Sequence, residues 1–327
     1  MSTFDTNVLG AYVPRRSEAR GSDQAVAVPS FWGSLRWFSF GSRARVFANA
    51  RRCSDAIGWK LQREIVLLFA WAPAILLQLA HPLVARGIAD HSSFRTESHG
   101  RTRRFLHTLN AMLELCFGTE EQAKAVLARI NAIHERVSGL LPETAGVFPT
   151  GTVYSARDPA LLAWVHATLL DMNLRVYELY VEPLGVEEKD RYCAEASAME
   201  EALGIPSGQL PRSFGELQQY MNAMYASGEI VVTDVARTLA RAILYPPAPR
   251  TATPILWLFR MTTVGLLPST IREGYGFSRN TRSVTVLALW AALIRHLLPL
   301  TPSVVRHWPA ARHAQARRPH DPRTSGL

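Results

Sequence analysis

The chain has 327 residues, 48% apolar and 19% charged, which excludes a disordered segment and suffices for one large core or two ordinary ones. Lysine and arginine number 36 against 27 acids, a net charge of +9 that is nearly all arginine, because Lys60, Lys124 and Lys189 are the only lysines. Such a balance draws nucleic acid, membranes or acidic ligands. Here the arginines are scattered, with excess at 101–104 and from Arg306 to Arg323, and no recognition helix or aromatic–basic pattern accompanies them, so nucleic acid is not an expected partner.

Residues 1–31 are rich in Gly, Ser, Pro and Arg and read as a flexible segment. They contain no apolar stretch of a secretory signal, and the twin arginines Arg15 and Arg16 lead into polar sequence, so the expected location is cytoplasmic. Cys53, Cys116 and Cys193 are odd in number and have no CxxC spacing, which argues against disulfides and structural zinc. The apolar run 65–80, "IVLLFAWAPAILLQLA", contains Pro73 and is shorter than the roughly 20 residues of a spanning helix, so it reads as the buried part of a helix over 61–80. His81 stands immediately before Pro82, a position that disfavours the α conformation and closes that helix.

A helix over 101–117 follows, with Arg101, Arg104, His107 and Thr108 on one side. Gly118 suits its end. Thr119 with Gln122 forms a capping box that opens a helix from Glu120 to about Ser138, stopped by Gly139. Its apolar stripe, Ala123, Val126, Leu127, Ile130, Ile133 and Val137, includes the position of His134. Asp158 caps and Pro159 begins a further helix that runs to about Val181 and carries His166 and Thr168. The stretch 283–300 is apolar but holds Arg295 and His296, and reads as an amphipathic or core helix, with peripheral membrane contact as its other use. Sustained alternation is absent. The expectation is one all-α domain over 32–305 with about ten helices, followed by a basic flexible tail over 306–327.

A lone histidine on an apolar helix face is ordinarily a hydrogen-bonded core residue. This chain places His134 and His166 on long apolar helices, His107 on a third and His81 at the end of a fourth. Burying four imidazoles costs about 1–3 kcal/mol for each that lacks a partner, which favours a shared interior site. No histidine has glutamate three residues before it, as a di-iron bundle requires, and there is no HExxH, CxxCH, GxSxG or Walker lysine loop. "GYGFSR" at 274–279 lacks the third glycine of a dinucleotide fingerprint. A helical pocket with a neutral imidazole facing an apolar space remains, and it suits a non-covalent haem whose propionates meet arginines.

In this order, "QLAHPLVARGIADHSSF", "RRFLHTL", "CFGTEEQAKAVLARINAIHERVSG", "YSARDPALLAWVHATL" and "GLLPSTIREGYG" resemble the latex-clearing-protein and MpaB-type oxygenase family, over residues 63–276. The resemblance implies an all-helical protein binding haem b, with His134 of the His-x-x-Val segment as the axial iron ligand. It implies a distal side formed by Arg104, His107 and Thr108, where rubber oxygenases have arginine, lysine and threonine. His107 replaces that lysine, so the implication extends to oxygen-dependent activity and stops short of polyisoprene. Arg104, with Arg101 as its alternative, would meet the propionates. His166 and Thr168 would line or support the pocket, and His81 with Pro82 matches a family hallmark. The expected function is a haem b oxygenase using dioxygen on a small hydrophobic, unsaturated lipid- or terpenoid-like substrate. The alternative is a non-catalytic helical module that binds haem or another hydrophobic ligand.

Overall fold

The structure, a computed structural model, describes residues 56–91, 98–246, 248–277 and 281–317. The segment read as flexible at 1–31 and Cys53 fall outside them. Fifteen helices and one two-stranded ribbon make up the described residues, all within one compact unit. The all-α expectation holds; the count exceeds ten because short helices are frequent and because the expected helix over 61–80 is broken. The 61–80 segment shows why. It divides into α1 (Ile57–Gln62), a 3-10 turn (Ile65–Leu67) and α2 (Leu68–Leu79).

The centre of the core is α6 (Pro159–Tyr180), in which 14 of 22 residues are buried, on all sides of the helix. Asp158 Oδ1 accepts from Ala160 N at 2.9 Å and Pro159 occupies the first turn, as the sequence predicts. α2 packs along α6. The two are joined by the buried Gln78, whose Nε2 donates to Thr168 Oγ1 at 3.1 Å and to the Val165 carbonyl at 3.3 Å. At His81 the chain turns, and α3 (Pro82–His91) leaves α2 at 105°, the break that the residue before a proline dictates.

A helical hairpin follows, α4 (Ser98–Phe117) and α5 (Glu120–His134), with the Thr119–Gln122 capping box in place between them. α5 ends at His134 and not at Ser138. Ser138–Leu140 (β1) instead pairs antiparallel with Val153–Ser155 (β2) in a ribbon too short to leave a period-two signature. Beyond α6 come α7 (Val186–Ser197), α8 (Glu200–Leu203), α9 (Phe214–Ala226) and α10 (Asp234–Leu244). The chain continues with α11 (Thr253–Leu266), α12 (Ser269–Gly274) and α13 (Thr281–Leu297).

The helical body does not stop at 305. α14 (Ser303–Arg306) and α15 (Pro309–Ala316) pack onto its beginning, which corrects the boundary drawn at 305 and the reading of 306–317 as tail. The reason is a buried charge. Glu64 is fully buried, and Arg306 donates to it from Nε at 2.7 Å and Nη2 at 2.9 Å, a fork of charge-assisted bonds. Next to it Trp308 is buried against Leu109 and Phe117 of α4, and Arg317 Nη2 donates to the Phe117 carbonyl at 2.9 Å. Among the described residues no single helix is long and apolar enough to cross a membrane.

Candidate functional site

The α4–α5 hairpin carries most of the expected site. Arg129 Nη2 lies 3.7 Å from Glu114 Oε2 and fixes the relative level of its two helices. His134 is five residues beyond Arg129 and Thr108 six before Glu114. At 1.5 Å per residue the two stand roughly level, with His107 within about one turn and Arg104 about a turn further out. His134 therefore closes α5 roughly level with the middle of α4, where His107 and Thr108 lie. Their burial differs from expectation: His134 is half-buried, while His107 and Thr108 are exposed on α4 rather than enclosed. Arg101 and Arg104 lie on α4, but their side chains are outside the described residues.

The apolar stripe of α5 is buried at Ala123 and Val126 and opens towards its end, where Ile133 is 55% exposed. Burial lowers the pKa of the His134 imidazole, so the ring is neutral at pH 7. Among the described residues no hydrogen bond or ion pair engages that ring. A neutral imidazole with a free nitrogen lone pair is what an iron or zinc centre accepts. Asn131 Nδ2 donates to the Ala202 carbonyl at 3.3 Å and anchors the end of α5 to the segment containing α8.

Four further residues hold the chain just past His134, and the sequence reading passed over them. Arg86 binds Asp90 one turn on through Nε at 2.7 Å. Tyr154 donates its hydroxyl to Asp90 at 2.7 Å, and His91 Nε2 lies 3.0 Å from the Ser138 carbonyl. Burial works to raise the Asp90 pKa, but the Arg86 and Tyr154 hydrogen bonds outweigh it and hold the carboxylate below its ordinary value. Burial and the carboxylate acceptor push the Tyr154 phenol up to about 12. The i,i+4 spacing of Arg86 and Asp90 was the legible part of this signal; its union with Tyr154 depends on the ribbon.

His81, His166 and Thr168 belong to the core rather than to the hairpin. His81 is buried at the α2–α3 elbow, with its ring 5.2 Å from that of Phe148 and Nε2 3.5 Å from Glu229 Oε2, while Nδ1 has no partner among the described residues. Burial lowers its pKa to about 4, against a small opposing pull from Asp158. His166 is neutral for the same reason, its pKa lowered to about 4 by burial against the Ala196 backbone and Glu200, which act to raise it; its Nε2 is a buried nitrogen without a partner. Thr168 is committed to α6 and α2, donating to the Val165 carbonyl at 2.8 Å and accepting from Gln78.

A cavity of about 20 Å³ lies on the other side of α4, between Trp71, Leu109, Met112, Phe117 and Trp308. It has room for about one water molecule and none for a macrocycle. Among the described residues no group of three or more His, Cys, Asp or Glu could hold a metal ion as a protein-only cluster.

The family model described as "ER-bound oxygenase mpaB/B'/Rubber oxygenase, catalytic domain" matches residues 59–296. That span contains the α4–α5 hairpin, the elbow at His81 and all of α6. Neither a curated protein nor a solved structure matches the chain.

Proposed function

From the premise that the chain belongs to the ER-bound oxygenase mpaB/B' and rubber oxygenase catalytic-domain family, we propose that it is a haem b-dependent oxygenase that uses dioxygen on a small apolar, unsaturated, lipid- or terpenoid-like substrate. Membership makes the chain an oxygenase domain; the cofactor and the substrate class are the parts proposed. The observation that carries the cofactor is the His134 ring, neutral, half-buried and engaged by no other described group. The donor set fits haem better than a bare metal ion, since one imidazole suffices for a macrocycle that supplies four nitrogens itself. When bound, haem supplies the redox-active iron that dioxygen chemistry needs and no side chain provides.

The chain's own residues divide the remaining work. His134 would hold the iron from the end of α5, where Ile133 is exposed beside it. Arg104, or Arg101 a turn earlier on α4, would meet the propionates, whose charge a guanidinium complements. His107 offers an imidazole, able to donate or accept a hydrogen bond, where related rubber oxygenases carry an ammonium, and Thr108 offers a hydroxyl beside it. His81, His166 and Thr168 act from behind, in the core built by α2 and α6; α2 reaches the hairpin where Leu68 and Trp71 pack with Leu109 and Phe117 of α4.

The test is absorption spectroscopy of purified protein supplied with haemin, followed by dioxygen uptake with candidate alkenes. A Soret band in wild type that His134→Ala abolishes, with substrate-dependent uptake, is the expected result. A His134→Ala variant that keeps the band would transfer the ligand role elsewhere, with His166 the first alternative. Full haem loading without uptake on any alkene would favour the carrier module instead.

A further inference from the structure

The positive charge of this protein resides in one part of its sequence. Between Val235 and His320 there are 12 arginines and a single acid, Glu273; the rest of the chain has 24 basic and 26 acidic residues. The segment carries a formal +11 and the remainder −2, which accounts for the whole net charge of +9. Folding cancels little of it. Among the described residues Arg237 pairs with Asp234 and Arg306 with Glu64. Arg272, Arg295 and Arg317 donate to backbone carbonyls, which are neutral, and Arg241 and Arg250 are exposed.

The same segment exposes an apolar stripe. α13 rests on the core through Ala291, and Arg295 fastens it to the Glu178 and Leu179 carbonyls at the end of α6. Its outer side presents Leu289, Leu293 and Leu297 at four-residue spacing, continued by Leu300, and these four are 46–78% exposed. Trp290 is exposed next to them. α11 packs against α13 where Gly265 meets Leu287, and adds exposed Ile255 and Trp257. Val304 on α14 is exposed as well. An apolar set of this extent on a folded surface marks a contact surface. The helix of Val284–Leu300 is too short to span a bilayer.

We propose that α13, with α11 and α14 beside it, docks onto the surface of an anionic lipid bilayer without crossing it. Leucine and tryptophan side chains enter the boundary between headgroups and acyl chains, while the arginines contact lipid phosphates; both are features of helices that lie in the membrane plane. Charge chooses this occupant over a second copy of the chain, since two faces from a segment of +11 repel each other. It is favoured over nucleic acid because a polyanion gives leucines at 46–78% exposure nothing to bury against. The inference does not depend on the haem reading.

Co-sedimentation of the full chain with vesicles tests it, using phosphatidylcholine alone and phosphatidylcholine mixed with phosphatidylglycerol. Binding to the mixed vesicles should exceed binding to neutral ones by about tenfold or more and weaken with added salt. Leu293→Glu/Leu297→Glu should lose at least about tenfold with an unchanged circular dichroism spectrum. If that pair does not fold, Leu300→Glu/Val304→Glu, at the most exposed positions, should show the same loss. The proposal is overturned by wild type that sediments with neither vesicle, by folded variants that bind as wild type does, or by a dimer in solution that either pair converts to monomer.

Discussion

Gly139 and Tyr154 face each other across the ribbon so closely that a Cβ at position 139 would lie 2.5 Å from the tyrosine hydroxyl and 2.7 Å from its ring carbon Cζ. That hydroxyl is the one donated to Asp90, so the glycine protects a bond as well as a space. Gly139→Ala should force the ring away from Asp90 and cost about 1–3 kcal/mol, the usual range for overpacking. Thermal unfolding measures it. An unchanged melting temperature would mean that the ribbon yields freely.

Two imidazoles make stability depend on acid. His81 and His166 have folded pKa values near 4, because burial disfavours their charged forms, against an ordinary value of 6.5. Between those values the unfolded chain binds protons that the folded chain does not, so stability is fully present above pH 6.5 and declines as pH falls towards 4. Each histidine contributes up to about 2 kcal/mol of loss by pH 5. Guanidinium unfolding of wild type at pH 7.5 and pH 5 should show the loss, and His81→Gln/His166→Gln should flatten it. Equal slopes for the two proteins would contradict this assignment.

The helix starts at Thr119 and Asp158 and the break at His81–Pro82 were legible because each depends on residues within one turn of itself. The end of α5 was not. Val137 and Ser138 continue the apolar and polar pattern of a helix, and only pairing with Val153–Ser155, supplied by distant chain, makes a strand from Ser138 onward. The C-terminal helices were misread for a related cause: an arginine-rich stretch resembles a solvated tail until a buried carboxylate 242 residues away takes up its guanidinium. Within the site, helical spacing set Arg101, Arg104, His107 and Thr108 on one side of α4. It does not tell which side faces solvent, and His107 and Thr108 are exposed.

Arg306→Ala should leave the Glu64 carboxylate buried with Arg63, 3.6 Å away, as its nearest cation, beside a His307 ring that burial keeps neutral. Loss of one partner from a buried pair costs about 3–5 kcal/mol. For a protein of this size that corresponds to a fall in melting temperature of roughly 6–12 °C or more. Arg306→Lys should recover part of the loss, since one ammonium restores the charge but not the fork.

On the proposed haem reading, His107 should act as a hydrogen-bond donor or acceptor and not as a second iron ligand, consistent with its exposed place on α4. The ferric spectrum of haem-loaded wild type is then high-spin, and His107→Ala keeps that spin state while turnover slows by about tenfold or more. A low-spin wild type that becomes high-spin on substitution would assign His107 to the iron. Identical spectra and turnover would leave it a surface residue.

The packing of Trp308 on Leu109 and Phe117 bears on how this protein can be shortened. The family match ends at 296, and a gene trimmed there would look complete by alignment. It would lack the wedge that covers α4 and the arginine that neutralises Glu64, and α4 is the helix that carries Arg104, His107 and Thr108. Such a trimmed chain would expose fresh apolar surface and a stranded charge at once, conditions for inclusion bodies rather than soluble enzyme. The smallest unit worth expressing extends through Arg317.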